Sequence, residues 1–317
     1  MLAVAFMEFG GPEVLRVMEI ESPVADAGEV VVRVVASTVN PTDTLMRSGL
    51  QATLMSDLFP PYVAGMEFAG YVHDIGEGTT PLKIGQPVMG IVNARRHGGG
   101  SHAQHISVPA SSLAPLEHSI DLVEAATVPM NGLTAMMALE ALALPPGKTV
   151  LVTGAAGTVG GYSIELAKHA GLTVIADASE NDVDLIHRLG ADEVVPRGDA
   201  MNDAVQRLSP DGVDGLIDGA LLGQRANPLV RDGGTVVSLR RSHVAEDPRL
   251  VNRYVAVTEH VTDTAALVSL SKHLSEGILT PRIAFRLPMT EAAQAHRLVE
   301  RGGLRGRAVL MFDDPPE

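Results

Sequence analysis

Three glycines at a spacing of three, Gly154, Gly157 and Gly160, carry the most specific chemistry in this 317-residue chain. They follow Thr149 to Val152, a short apolar run rich in β-branched residues that reads as a buried strand. They precede Tyr162 to His169, where Ile164, Leu166 and Ala167 suit the packed face of a helix. A glycine turn ahead of a helix N-terminus presents unpaired backbone N–H groups and the positive end of the helix dipole, which together seat a diphosphate. Gly154 allows the tight turn, Gly157 the close approach of phosphate, and Gly160 the close packing of helix on strand. Gly154, Ala155, Ala156, Gly157, Thr158, Val159 and Gly160 are therefore the expected grip on a dinucleotide.

Other residues could extend that site. Asp177 follows Gly160 by 17 residues, close to where such folds place an acid for the ribose 2′-OH, and Ala178 and Ser179 come next. Arg197 could supply a cation for a 2′-phosphate, or sit on the surface. Leu239 and Arg240 close a strand-like run, and ligands bind at the carboxyl ends of parallel strands. Asp43 and Arg47 read as structural, Asp43 by capping a helix. His97, His102 and His105 around Gly98–Gly100 lack a fourth ligand nearby, so no metal is expected there.

The elements that must position these residues divide by texture. Glu29–Ala36 and Gly70–Ile75 read as strands, and 85–90 and 105–109 as short strand–turn pieces. No long helix is expected before about residue 121. Residues 121–144 form a helical region interrupted by Pro129 and Gly132 and ended by Pro145-Pro146-Gly147. Strands at 149–152, 172–176, 193–195, 213–218 and 234–239 then alternate with helices, including 182–188 and 203–208. That order predicts a parallel, doubly wound sheet. Helices at 263–274 and 290–300 and a strand at 307–312 close the chain. The expected fold is α/β: a β-rich domain from 1–125 and 258–317, and a Rossmann domain from 126–257.

Composition narrows the partners. Lys+Arg 24 against Asp+Glu 38 gives a formal charge of −14, and aromatics are 3%, so nucleic acid and anionic membranes are not expected partners. With Cys 0, disulfides, thiolate nucleophiles and Cys-ligated zinc are excluded. No apolar stretch approaches the roughly 20 residues of a membrane span, and no leader pattern opens the chain, so a cytoplasmic protein is expected.

The chain resembles the medium-chain dehydrogenase/reductase superfamily, in its zinc-independent quinone oxidoreductase (zeta-crystallin-like) branch. The resemblance spans essentially the whole length, through Phe9-Gly-Gly-Pro-Glu-Val-Leu15, Val39-Asn-Pro-Thr-Asp43 with Arg47-Ser-Gly49, and Pro61 to Gly70. Lys83 to Val88, Gly132-Leu-Thr-Ala135, the glycine loop, Leu189-Gly-Ala-Asp192 and Gly233-Gly-Thr-Val236 follow in family order. It implies a GroES-like catalytic domain beside the Rossmann domain, and a homodimer. Zinc-dependent relatives carry Cys and His-Glu where this chain has Asn40 and Gly65-Met66-Glu67, and it lacks their Cys-rich lobe. Without a Lewis acid, the implied chemistry moves from alcohol oxidation to hydride transfer onto a quinone or an α,β-unsaturated carbonyl.

The resemblance also assigns neighbours: Asn40 falls in the loop that faces the nicotinamide in the family, where its amide could donate to a substrate carbonyl and stabilise a developing oxyanion. Asn131 aligns beside the nicotinamide, Thr134 reads as bonded to its own helix, and Ala178 sits nearer the acid position than Asp177 does. An alanine there leaves room for a 2′-phosphate, so NADPH is the expected cofactor with NADH possible. The Lys and Tyr that relatives use on that phosphate are not evident, and Glu180-Asn-Asp182 stands where a basic residue would help. No Tyr lies in 44–50, which leaves solvent as a proton source. Leu45, Leu50, Leu54, Met55 and Leu58 are the expected apolar walls of an interdomain acceptor pocket. A short-chain dehydrogenase fails as a rival because Tyr162 has Leu166, not Lys, four residues on. A crystallin-like or regulatory nucleotide binder with little catalysis is the remaining alternative.

Overall fold

The computed structural model describes residues 1–79, 82–244 and 246–312, and the chain divides into two compact units. Unit 1 holds Met1–Met130, His260–Ser275 and the chain from Pro281 onward; unit 2 holds Asn131–Glu259 and Glu276–Thr280. The last segment lies inside the tail that the sequence places wholly in the flanking domain. It goes with unit 2, where the Thr280 N–H donates to both carboxylate oxygens of Glu165 at 3.2 Å.

Unit 1 opens with β1 (Leu2–Phe6), β2 (Arg16–Glu19), β3 (Glu29–Val39), α1 (Pro41–Arg47), β4 (Tyr62–Val63) and β5 (Glu67–Ile75). β6 (Pro87–Ile91), β7 (His105–Pro109), β8 (Leu113–Pro115) and α2 (Leu122–Ala125) follow. β3 organises the larger sheet. One of its edges pairs with β5; the other takes β7 along Glu29–Arg33 and the closing strand Arg307–Met311 along Ala36–Val39. Val30, Val32 and Val34, alternate residues on one face of β3, enter the core with Phe68, Val72, Val88 and Ile106.

Unit 2 runs from the third residue of α3 (Pro129–Leu142) through β9 (Thr149–Thr153), α4 (Thr158–His169), β10 (Thr173–Ala178), α5 (Val183–Arg188) and β11 (Glu193–Pro196). α6 (Met201–Leu208), β12 (Val213–Asp218), β13 (Val230–Ser238) and β14 (Val251–Tyr254) complete it. Its six strands are all parallel in the order β11-β10-β9-β12-β13-β14, the doubly wound Rossmann order. Val150, Val152, Val174 and Ala176 pack on one face with Ile164 of α4 and Ile186 of α5. Leu151, Ile175, Leu216 and Val236 pack on the other with Met201 and Val205 of α6. Burial on both faces explains why these strands read as continuous apolar runs.

The helical region expected at 121–144 is two helices. Pro129 stands at the first residue of α3, where a missing N–H costs nothing, and Gly132 does not interrupt the helix. In the tail, α7 (Thr264–Ser275), β15 (Ile283–Pro288), α8 (Ala292–Arg301) and β16 (Arg307–Met311) return to unit 1.

Candidate dinucleotide site and buried polar network

The carboxyl ends of β9, β10, β11, β12 and β13 share one edge of the parallel sheet. The register pairs Ala178 with Pro196, and Asp218 with both Thr153 and Ser238. The glycine loop, Asp177 to Ser179, Arg197, Leu239 and Arg240 all stand at or just beyond that edge, which gathers most of the residues expected to touch the cofactor. The loop lies where the strand order reverses, between β9 and β12, the position at which open α/β sheets bind ligands.

The loop's glycines are dictated by space. Gly154 has φ +66 and its missing Cβ would stand 2.7 Å from the Gly219 carbonyl carbon, on the loop after β12. A Cβ on Gly160 would lie 2.4 Å from the Gly154 oxygen, so a side chain there would push α4 off the turn. At Gly157 the nearest atom to a Cβ is the same oxygen, at 3.1 Å. Gly157 is the N-cap of α4, and the first i→i−4 bond runs from Gly161 to Gly157. The N–H groups of Thr158, Val159 and Gly160 thus precede the helix ladder and supply the donors an anion needs. The space, the helix start and the switch point together fit a dinucleotide diphosphate.

The side chains around the loop differ from expectation in one respect. Asp177 is 1% exposed, and its Oδ1 accepts from the Ala155 N–H at 2.9 Å. The carboxylate braces the loop from beneath instead of standing open to a ribose. Its Oδ2 lies 3.3 Å from Arg197 Nε. Burial pushes the Asp177 carboxyl above its ordinary range, against the opposing pull of the Ala155 amide and Arg197. Ser179 donates its hydroxyl proton to Asp182 at 2.5 Å, and Ala178 ends β10. Leu239 packs on the core, and Arg240 directly precedes a short 3-10 turn, Arg241–His243. Asp218, which the sequence reading passed over, accepts from Thr153 Oγ1 and from the N–H groups of Leu222 and Gly223, and so shapes the loop after β12. Asn131 is a buried residue of the first turn of α3 in unit 2, whereas Asn40 belongs to unit 1.

Asn40 lies in unit 1 with its side-chain amide bonded to protein partners. It is 1% exposed at the N-cap of α1. Its Oδ1 accepts from Arg307 Nη2 at 2.5 Å, while its Nδ2 donates toward Thr38 Oγ1 at 3.2 Å and Glu67 Oε1 at 3.3 Å. The amide is occupied by an internal network, because β3, β5 and β16 bring Thr38, Glu67 and Arg307 together at its side. Arg307 lies 3.0 Å from Glu67 Oε1, and Glu67 Oε2 accepts from the Met130 N–H at 2.8 Å. The one available hint in the sequence was a carboxylate inside an apolar run, at Glu67; nothing local pairs it with a residue 240 positions away.

Asp43 ties this network to its surroundings. Its oxygens accept from Asn40 N at 2.7 Å and Gly65 N at 3.0 Å, and burial pushes its carboxyl above the ordinary range. Nearby, Arg47 is 2% exposed and paired with Glu300. His296 is wholly buried, its ring 6.1 Å from that of His102, and neither ring nitrogen has a hydrogen-bond partner. Burial first, then the neighbouring His102 and Arg47, hold its pKa well below the ordinary value. Among the described residues no three His, Asp or Glu side chains gather as a metal site.

The chain matches the family model of an alcohol dehydrogenase GroES-like domain over residues 26–118 and that of a zinc-binding dehydrogenase over residues 189–310. It is 29% identical to the chloroplastic NADPH-dependent alkenal/one oxidoreductase of Arabidopsis thaliana, over 98% of this chain and 79% of that protein. It is 27% identical to the quinone oxidoreductase of Sus scrofa, over 98% of each. Among solved structures it resembles the quinone oxidoreductase of Coxiella burnetii, with a TM-score of 0.87, 28% identity, and coverage of 98% of this chain and 99% of that one.

Proposed function

We propose, since this chain belongs to the medium-chain dehydrogenase/reductase superfamily and to its quinone oxidoreductase branch, that it is a zinc-independent reductase of quinones or α,β-unsaturated carbonyls that takes NADPH and admits NADH. The observation that carries this reading is the glycine loop over the start of α4 at the switch point of the parallel sheet. A bound nicotinamide dinucleotide supplies the hydride; the protein's part is to bind, orient and exclude water. In this reading the N–H groups of Thr158, Val159 and Gly160 bind the diphosphate. Arg197 faces the 2′-group, and Asn131, Leu239 and Arg240 border the nicotinamide half.

Polarising the acceptor falls to hydrogen bonds. Asn40 and Met66 offer an amide and a thioether where zinc-dependent relatives offer Cys and His, and the chain has no cysteine. Asn40 positions the loop through Arg307 and Glu67, and the acceptor lies against Leu45, Leu50 and Leu54, taking its proton from solvent; Met55 and Leu58, expected beside them, are buried in the core of unit 1. A homodimer formed through the β14 edge of the sheet, and a cytoplasmic location, complete the proposal. No helix among the described residues is long and apolar enough to cross a membrane.

The test is a fluorescence titration with NADPH and with NADH, followed by turnover on 1,4-benzoquinone and on 2-alkenals. Oxidation of NADPH by at least one acceptor class, undiminished after dialysis against a chelator, is expected. Binding without oxidation across the panel would overturn the reading in favour of a non-catalytic nucleotide binder. Sedimentation velocity measures the dimer.

A further inference from the structure

We infer that Asp177 and Arg197 together set cofactor choice, and that as a pair of opposite charges they make the chain a user of both NADPH and NADH, strict for neither. This deepens, and rests on, the dinucleotide reading above. The two residues stand at the ends of neighbouring strands, β10 and β11, whose register places Asp177 opposite Val195 and Ala178 opposite Pro196. In a doubly wound sheet that corner receives the adenosine ribose. An acid accepting from the 2′-OH favours NADH there, and an accessible cation accommodates the 2′-phosphate of NADPH.

Neither selector is present in simple form. The Asp177 carboxylate is 1% exposed and committed to the Ala155 amide, so it cannot also serve as an open acceptor for a ribose hydroxyl. Ala178 carries no acid, and the Ser179 hydroxyl donates its hydrogen bond to Asp182. Arg197 is, among the described residues, the cation that pairs with Asp177, and its Nε lies 3.3 Å from Oδ2. The rest of its guanidinium fork remains to reach a phosphate, since the side chain is 38% exposed. A 2′-phosphate therefore meets a guanidinium whose charge is offset by a carboxylate directly behind it. A 2′-hydroxyl meets neither a strong acceptor nor repulsion. Opposite charges at that separation cancel much of each other's field at the next few ångströms, so discrimination between the two cofactors is weak.

The sign of each substitution follows. Asp177→Asn keeps an oxygen for the Ala155 amide and removes the opposing charge, which shifts preference toward NADPH. Arg197→Ala removes the cation and leaves the carboxylate to repel phosphate, which shifts preference toward NADH. A residue of merely structural importance would weaken both cofactors alike.

The experiment measures dissociation constants of the purified full-length protein for NADPH and NADH by nicotinamide fluorescence. Calorimetry with 2′,5′-ADP and 5′-AMP isolates the 2′-phosphate. The unsubstituted protein is expected to bind the two cofactors within about tenfold of each other. Asp177→Asn should raise the NADPH:NADH affinity ratio about five- to tenfold, and Arg197→Ala should lower it at least about tenfold. Should Asp177→Asn fail to fold, Arg197→Ala and Arg197→Gln on the half-exposed side chain carry the test. A ratio unmoved by these substitutions, or strict use of one cofactor by the unsubstituted protein, overturns the inference and leaves the reductase reading standing. Binding of neither cofactor overturns the dinucleotide reading itself.

Discussion

At the scale of single residues, two side chains expected to touch a ligand make hydrogen bonds within the protein. Asn40 and Asp177 are polar groups at the right places in the chain, yet both are spent on neighbouring protein atoms. The Arg307–Glu67 pair that occupies Asn40 is buried, so removing one member leaves a charge without compensation. Arg307→Met is expected to cost about 3–5 kcal/mol in a chemical denaturation series, and pairing it with Glu67→Gln should recover part of that loss. His296 makes a second residue-scale prediction. Its folded pKa is depressed, so the unfolded chain binds the proton more readily, and stability is lost as pH falls below the unfolded value of 6.5. Asp43 and Asp177 act oppositely: their raised folded values favour the folded state as pH falls toward 3.8. The His296 contribution is read as the difference between the protein and His296→Gln in denaturation midpoints at pH 7.5 and pH 5. The protein should lose more than the variant on acidification; equal losses would refute this assignment.

At the scale of elements, the glycine loop was legible because its constraints are local: a turn with positive φ, a helix start and a buried strand all lie within twelve residues. Gly160→Ala tests the packing. Its Cβ would stand 2.4 Å from the Gly154 oxygen, so the loop must shift, and affinity for NADPH and NADH should fall together, by about tenfold or more. A variant that binds both cofactors normally would show that the loop yields without cost. The strands β1, β2, β14 and β15 were not legible. They are short and largely at sheet margins, and their strand form rests on hydrogen bonds from partners remote in sequence, as when Ile283–Pro288 pairs with Arg307–Met311. Gly132 was misread as a break because helix propensity is a weak prior beside the packing of Leu133, Ala135 and Ala138.

At the scale of the whole molecule, the chain folds as two units, each with its own core. Its return from Pro281 onward builds β15 and β16 beside β3, which is how Arg307 reaches Thr38 and Glu67. The crossing of Glu276–Thr280 into unit 2 depends on Glu165, a buried carboxylate on α4. Glu165→Leu should speed hydrogen exchange at Thr280 by removing its acceptor while leaving the β9 amides protected; unchanged exchange would mean that something else holds the segment. The residues alone determined the parallel sheet, the glycine loop and the family, because apolar period, glycine spacing and helix starts are short-range patterns that survive in one dimension. Only the tertiary structure decided which polar groups stay available for ligands. Availability depends on which partners arrive from distant strands, and a buried carboxylate or amide takes the nearest donor that desolvation forces it to find.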